Sequence, residues 1–256
     1  GLYSSKYGEE PWRDMTYDVP LAGEVDFNGI AVNSLSDHVL VGDGGYIHFY
    51  SADELVIGQI CHVAGTPIYS NDMYAVSIQD DYAYVVGDSG RILNIDFTDQ
   101  NNIVCTDESV DGVTATLNDV KTIDTGVPYI FIVGDSGTYV ADLGASSFTD
   151  YTSFVGVAED FNGVSIYGDE ALIVGDNGTV LIVGDEVDSL DTGGVEDYYD
   201  GILSDNEAQV VGSSGSVYST DDTVTWSSLY AGTLSTVYSI VSVGVGEMNI
   251  AGASGL

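Results

Sequence analysis

The sequence predicts an all-β chain, a six-bladed β-propeller of four-stranded antiparallel blades, and three observations carry that prediction. The first is a phrase that recurs six times, a β-branched run followed by Gly, two small or polar residues and Gly. It reads V-G-D-G-G from Val41, V-G-D-S-G from Val86, V-G-D-S-G from Val133, V-G-D-N-G from Val174, V-G-S-S-G from Val211 and A-G-A-S-G from Ala251. The first glycines, Gly42, Gly87, Gly134, Gly175, Gly212 and Gly252, lie 45, 47, 41, 37 and 40 residues apart, the length of one four-stranded blade. The second is that the phrase links segments rich in Val, Ile and Tyr, with no helical pattern in the chain. The third is that the last copy stops at Leu256 directly after Ser254-Gly255, while G-L-Y-S-S-K-Y-G-E-E-P-W from Gly1 lines up with G-S-V-Y-S-T-D-D-T-V-T-W from Gly215. A single domain over 1–256 is therefore expected, its last blade begun by 235–256 and completed by strands from 1–17, which would leave no open sheet edge.

Each repeat opens on an innermost strand in which two varied residues precede an aliphatic one: Phe27-Asn28-Gly29-Ile30, Met73-Tyr74-Ala75-Val76, Leu117-Asn118-Asp119-Val120, Phe161-Asn162-Gly163-Val164, Tyr199-Asp200-Gly201-Ile202 and Val237-Tyr238-Ser239-Ile240. A second strand follows, such as H-V-L-V-G-D from His38 or A-L-I-V-G-D from Ala171, ending at a two-residue turn. The second turn residue is always Gly, and Asn177-Gly178 is a strong type I′ signal, because that turn needs positive φ at both central positions. Third strands are expected at Tyr46 to Tyr50, Arg91 to Ile95 and Thr179 to Val183, with a fourth, outer strand that is the least regular.

Four Lys and Arg (Lys6, Arg13, Arg91, Lys121) stand against 41 Asp and Glu, a formal net charge of −37. The acids are spread over every repeat rather than gathered in a tail, the balance of a protein built for molar salt, where the Debye length falls to about 3 Å and self-repulsion is screened. Four scattered cations cannot displace counterions from nucleic acid or hold an anionic membrane surface, so neither is an expected partner. No run of eighteen apolar residues is present, and Lys6, Glu9 and Glu10 stand where a signal peptide would be apolar, so neither a membrane span nor a retained export signal is expected. Cys61 and Cys105, 44 residues apart, are expected at equivalent outer places of neighbouring blades, too far apart to bridge, as two buried free thiols.

Ser219-Thr220-Asp221-Asp222-Thr223-Val224-Thr225-Trp226 resembles the Asp-box, S-x-D-x-G-x-T-W, with Thr223 at the Gly position, and Ser4 to Trp12 is a looser copy. With the repeated V-G-D-x-G phrase, the whole chain resembles the Asp-box (BNR-type) propellers, closest in texture to the photosystem II assembly-factor-like group. The resemblance implies the propeller fold, and it places Asp-boxes in structural turns away from any active site. The basic patch of the photosystem group has no counterpart here. Sialidases of the same fold clamp a substrate carboxylate with three arginines, and this chain has only Arg13 and Arg91.

His38, His48 and His62 fall in the first repeat, but in the expected hairpin register His48 faces Val41 and His38 faces Ser51, and no metal-ligand spacing joins them. No Ser/His/Asp triad motif is present, so no catalytic residues and no cofactor are expected. Asn28, Tyr74, Asn118, Asn162, Asp200 and Tyr238 are expected to ring the mouth of a central channel, with Tyr198 and Tyr199 beside them in a recognition surface. The phrase carboxylates Asp43, Asp88, Asp135 and Asp176 have a turn-capping role available and are weak candidates for a metal. The leading expectation is a non-catalytic recognition module of an extreme halophile or its virus, a virion or surface component that binds host glycan or protein, alone or as part of a larger assembly. The alternatives are an intracellular, cytoplasmic assembly or scaffold factor, and a glycan-degrading enzyme using Asp200 with a nearby Tyr.

Overall fold

Alternation of β-branched and aromatic residues between Gly-rich turns gives an almost wholly β chain in the computed structural model, which describes residues 3–4, 13–14, 25–51, 56–63, 66–124, 128–205, 207–230, 235–244 and 247–253. The strands pack as two units, Gly1–Ser109 and Val110–Leu256. The first holds an antiparallel pair, β1 (Tyr3–Ser4) with β2 (Arg13–Asp14), and a sheet of β3 (Phe27–Val32), β4 (His38–Gly42), β5 (Tyr46–Tyr50) and β6 (Val56–Gln59). A short pair, β7 (His62–Val63) and β8 (Thr66–Pro67), leads to the sheet of β9 (Met73–Gln79), β10 (Tyr82–Gly87), β11 (Arg91–Asp96) and β12 (Val104–Asp107).

The second unit continues the pattern with β13 (Leu117–Asp124), β14 (Pro128–Gly134), β15 (Thr138–Leu143) and β16 (Thr149–Asp150), then a single helical turn, α1 (Thr152–Val155). Next come the sheet of β17 (Phe161–Tyr167), β18 (Glu170–Gly175), β19 (Val180–Val183) and β20 (Val187–Ser189) and that of β21 (Tyr198–Ser204), β22 (Glu207–Gly212), β23 (Val217–Thr220) and β24 (Ser227–Tyr230). The pair β25 (Val237–Gly244) and β26 (Glu247–Gly252) ends the described chain. Residues 5–12, which hold most of the N-terminal copy, and 254–256, which hold the last turn, lie outside the described residues, as does the blade closure expected between them.

Every four-stranded sheet is antiparallel with its strands in sequence order, as a meander requires. The core lies between successive sheets of each unit. Val39, Val41, Ile47 and Phe49 meet Met73, Val85, Leu93 and Ile95 in the first unit, and Phe131, Val133 and Ala141 meet Phe161, Val164 and Ile173 in the second. Second strands such as Ala171 to Val174 are buried on both faces, which explains their unbroken apolar run.

Three sequence expectations change. The bridge Cys61–Cys105 is formed, with Cα atoms 5.6 Å apart, so the two thiols are not free. Cys105 lies in outer strand β12, but Cys61 lies beyond the end of β6, at a turn with φ 57°, so a separation of one repeat does not give equivalent places. The hairpin register is also one residue off the expected one: His48 faces Leu40 and His38 faces Tyr50, because Asp43 is an extra residue before the turn. In the fifth repeat Tyr198, not Tyr199, holds the buried first position, opposite Gly212, so that Asp200 moves one place along.

His48 is fully buried, its Nδ1 3.4 Å from the Tyr46 hydroxyl, and burial pushes its pKa down to about 4. The folded chain keeps it neutral, whereas an unfolded chain takes up a proton near pH 6.5. Its contribution to stability is therefore complete above pH 6.5 and is lost as pH falls toward 4, by up to about 3 kcal/mol. Denaturant midpoints measured across that window should fall for the native chain and fall less for His48→Phe; parallel curves would remove this role.

Candidate functional site

In each of the six repeats the innermost strand carries a bulge against the second strand, and the unpaired residue is Asn28, Tyr74, Asn118, Asn162, Tyr199 or Tyr238. A bulge re-aims one side chain, so the repeat presents this residue at one equivalent place. Five of the six expected mouth residues occupy it; the fifth repeat supplies Tyr199 in place of Asp200.

The phrase glycine makes the bulge possible. A Cβ on Gly87 would lie 2.1 Å from the Asp72 carbonyl oxygen, and one on Gly134 2.1 Å from that of Thr116. The same carbonyls accept the N–H of the next phrase residue, Asp88 at 3.0 Å and Asp135 at 2.9 Å. The turn itself has the predicted type I′ character, with φ 57° at Ser136 and 70° at Gly137, and 56° at Asn177 and 76° at Gly178.

Polar side chains then tie neighbouring repeats together within each unit. Asn118 Nδ2 donates to Asp135 Oδ1 at 2.9 Å and to the Phe161 carbonyl of the following strand at 2.8 Å. Asn162 does the same with Asp176 and the Tyr198 carbonyl, and Asn28 with Asp43 and the Met73 carbonyl. In the other direction, Asp160 Oδ1 accepts the Ser136 N–H at 2.7 Å, Asp197 Oδ1 that of Asn177 at 3.1 Å and Asp72 Oδ1 that of Gly44 at 2.6 Å. Asp43, Asp135 and Asp176 are thus acceptors for asparagine, and among the described residues no three His, Cys, Asp or Glu side chains converge as a metal site. Asp88 instead takes a hydrogen bond from the Tyr74 hydroxyl, and burial, followed by the nearby carboxylates, raises the Tyr74 pKa.

Below the bulges the innermost strands of the second unit wall a cavity of about 520 Å³, lined by Lys121, Ser165, Asp200, Ile202, Ser239 and Val241 among others. Asp119 and Asp200 occupy equivalent places next to the bulge. Asp119 Oδ2 accepts the Val164 N–H at 3.0 Å, and Asp200 Oδ2 accepts both the Ile240 N–H and the Ser239 hydroxyl at 3.0 Å. Lys121 Nζ donates to Asp119 at 3.0 Å; that carboxylate, with Asp200 more weakly, holds the ammonium pKa above its ordinary value against burial. Burial raises the pKa of Asp200, opposed by its bond to Ile240 and by Lys121. With two hydrogen bonds to the neighbouring strand β25 and a third to the Gly201 N–H of its own strand at 2.8 Å, Asp200 serves as a staple of the wall.

The tyrosines divide. Tyr198 is fully buried with its hydroxyl 2.6 Å from Thr192 Oγ1, a core residue rather than a surface one. Tyr199 and Tyr238 face one another with ring centroids 5.5 Å apart, and Tyr238 is 56% exposed. In the stretch that resembles an Asp-box, Asp222 rather than Asp221 closes the turn, its Oδ1 accepting the Thr225 and Val224 N–H groups at 2.6 and 2.9 Å; these bonds hold its pKa down at about 2. Thr223 takes φ 56° where the motif has Gly. The bulge and the Asp72, Asp160 and Asp197 caps escaped sequence reasoning; the caps had a signal in the aspartate that stands just before four of the six inner strands, where the other two have Thr116 and Thr236.

No protein-family model and no curated protein matches the chain. Solved structures do. YCF48 from Cyanidioschyzon merolae superposes with a TM-score of 0.70 at 14% identity, covering 96% of this chain and 84% of that one. YCF48 bound to D1 peptide gives 0.67 at 12%, covering 89% and 75%, and the Dos1 propeller 0.69 at 11%, covering 90% and 64%. At such identities the likeness speaks for the fold, a β-propeller.

Proposed function

We propose that the chain is a non-catalytic β-propeller that holds a protein partner, as an assembly or scaffold factor does, on the face that carries its phrase turns and bulge residues. The observation that carries this reading is a similar fold with a peptide bound, YCF48 bound to D1 peptide. The repeated phrase resembles that of the photosystem II assembly-factor-like group, which supports it further. The six repeats count as six blades of one ring over 1–256, with residues 1–17 completing the last. The charge of −37 suits work in molar salt. Asp200 is engaged in the wall, and no reaction is built on it.

One observation favours a second reading, a surface or virion component that binds host protein or glycan. The Cys61–Cys105 bridge belongs to an oxidising compartment rather than to a reducing cytoplasm.

A photo-crosslinking residue at Val195, 82% exposed beside the phrase turns, separates the readings when the full chain meets the proteins of its source organism in molar KCl. The expected result is one protein adduct at Val195 and none at Tyr167, at the other end of its sheet. A glycan adduct alone selects the second reading, and equal labelling at both positions removes the choice of face. Chain folded and labelled equally well in dilute buffer removes the high-salt assignment.

A further inference from the structure

The bulge position follows a rule with two exceptions. Where it is Asn28, Asn118 or Asn162, an aspartate in the phrase receives it, and Tyr74 keeps the same arrangement with Asp88. In the fifth and sixth repeats the phrase offers Ser213 and Ala253 at that place, and the bulge residues are Tyr199 and Tyr238. The fold thus omits its carboxylate partner at two consecutive repeats, and there sets two aromatic rings against each other, 5.5 Å between centroids and inclined by 52°. Packing does not account for this choice, since Tyr238 leaves 56% of its surface in solvent.

The surroundings are acidic and fixed. Asp197 is held by the Asn177 N–H and Asp176 by Asn162, and both carboxylates act on the Tyr199 hydroxyl, whose pKa burial and those charges raise. Lys121, the cation of the cavity wall, is tied to Asp119. Electron-rich ring faces beside fixed carboxylates favour a cation over an anion or a neutral group.

We propose that the Tyr199–Tyr238 pair receives a cationic side chain, a guanidinium or alkylammonium, of the protein partner. The identity of the partner as a protein rests on the reading above; the preference for a cation rests on the pair itself.

The probe is Nα-acetyl-arginine amide, compared with its neutral counterpart Nα-acetyl-citrulline amide, titrated into the full chain carrying ring-labelled tyrosine at the lowest KCl that keeps it folded. Resonances of two tyrosines should shift saturably with the arginine compound and respond about three- to fivefold more weakly to the citrulline compound. Tyr238→Leu should abolish the shifts of the remaining ring, while Tyr238→Phe, which keeps the ring face, should retain them. Equal response to both probes, or unchanged shifts in Tyr238→Leu, overturns the proposal. Arginine-selective shifts without any protein adduct at Val195 would leave the cation site standing and remove the protein-holding reading. An adduct at Val195 with no discrimination between the probes would do the reverse.

Discussion

Gly134→Ala should cost at least about 4 kcal/mol, a large share of the stability of a domain. The added Cβ would lie 2.1 Å from the Thr116 carbonyl oxygen and 3.0 Å from the Leu117 Cα, both backbone atoms, so no side chain can turn away to make room. Moving that carbonyl would also loosen its bond to the Asp135 N–H and the bulge that presents Asn118. Gly44→Ala is the comparison: φ is 65° there but nothing lies within 4 Å, and the cost should stay near about 1 kcal/mol. Denaturant unfolding in concentrated KCl reads both, and equal losses would show that close approach is not why glycine stands at the first glycine position of the phrase.

Cys105→Ser should lower stability by about 4 kcal/mol, the loop-closure value for cysteines separated by 44 residues. The bridge ties the chain just after β6 to outer strand β12, where short outer strands contribute few ladder bonds. Unfolding with and without a phosphine reductant measures the effect directly. Native chain under reductant and Cys105→Ser without it should coincide. A midpoint indifferent to both would mean that the outer strands hold their order unaided.

Much of the fold was legible because glycine and β-branched residues act locally. Gly137 and Gly178 demand the same turn wherever they stand, and the runs Ala171 to Val174 and Ile130 to Val133 need two buried faces. What escaped notice depends on partners distant in sequence. A bulge at Asn162 and a regular strand through it share one hydrophobic pattern; only the pairing of Phe161 with Gly175 and Gly163 with Val174 separates them. Tyr198 and Tyr199 are equally good first residues by composition, and the choice falls to Thr192, which takes the Tyr198 hydroxyl. The cysteine expectation assumed equal geometry in every repeat, and the insertion between β6 and β9 breaks that equality.

Asp72, Asp160 and Asp197 each complete a turn that belongs to the repeat before, so the first, third and fourth repeats are not self-sufficient building blocks. Gene duplication that cut such a chain just ahead of an inner strand would strand a turn from its closing carboxylate. A duplication framed from the middle of one outer strand to the middle of the next would copy both halves of each such closure, so a blade added or removed at that boundary would leave these turns intact.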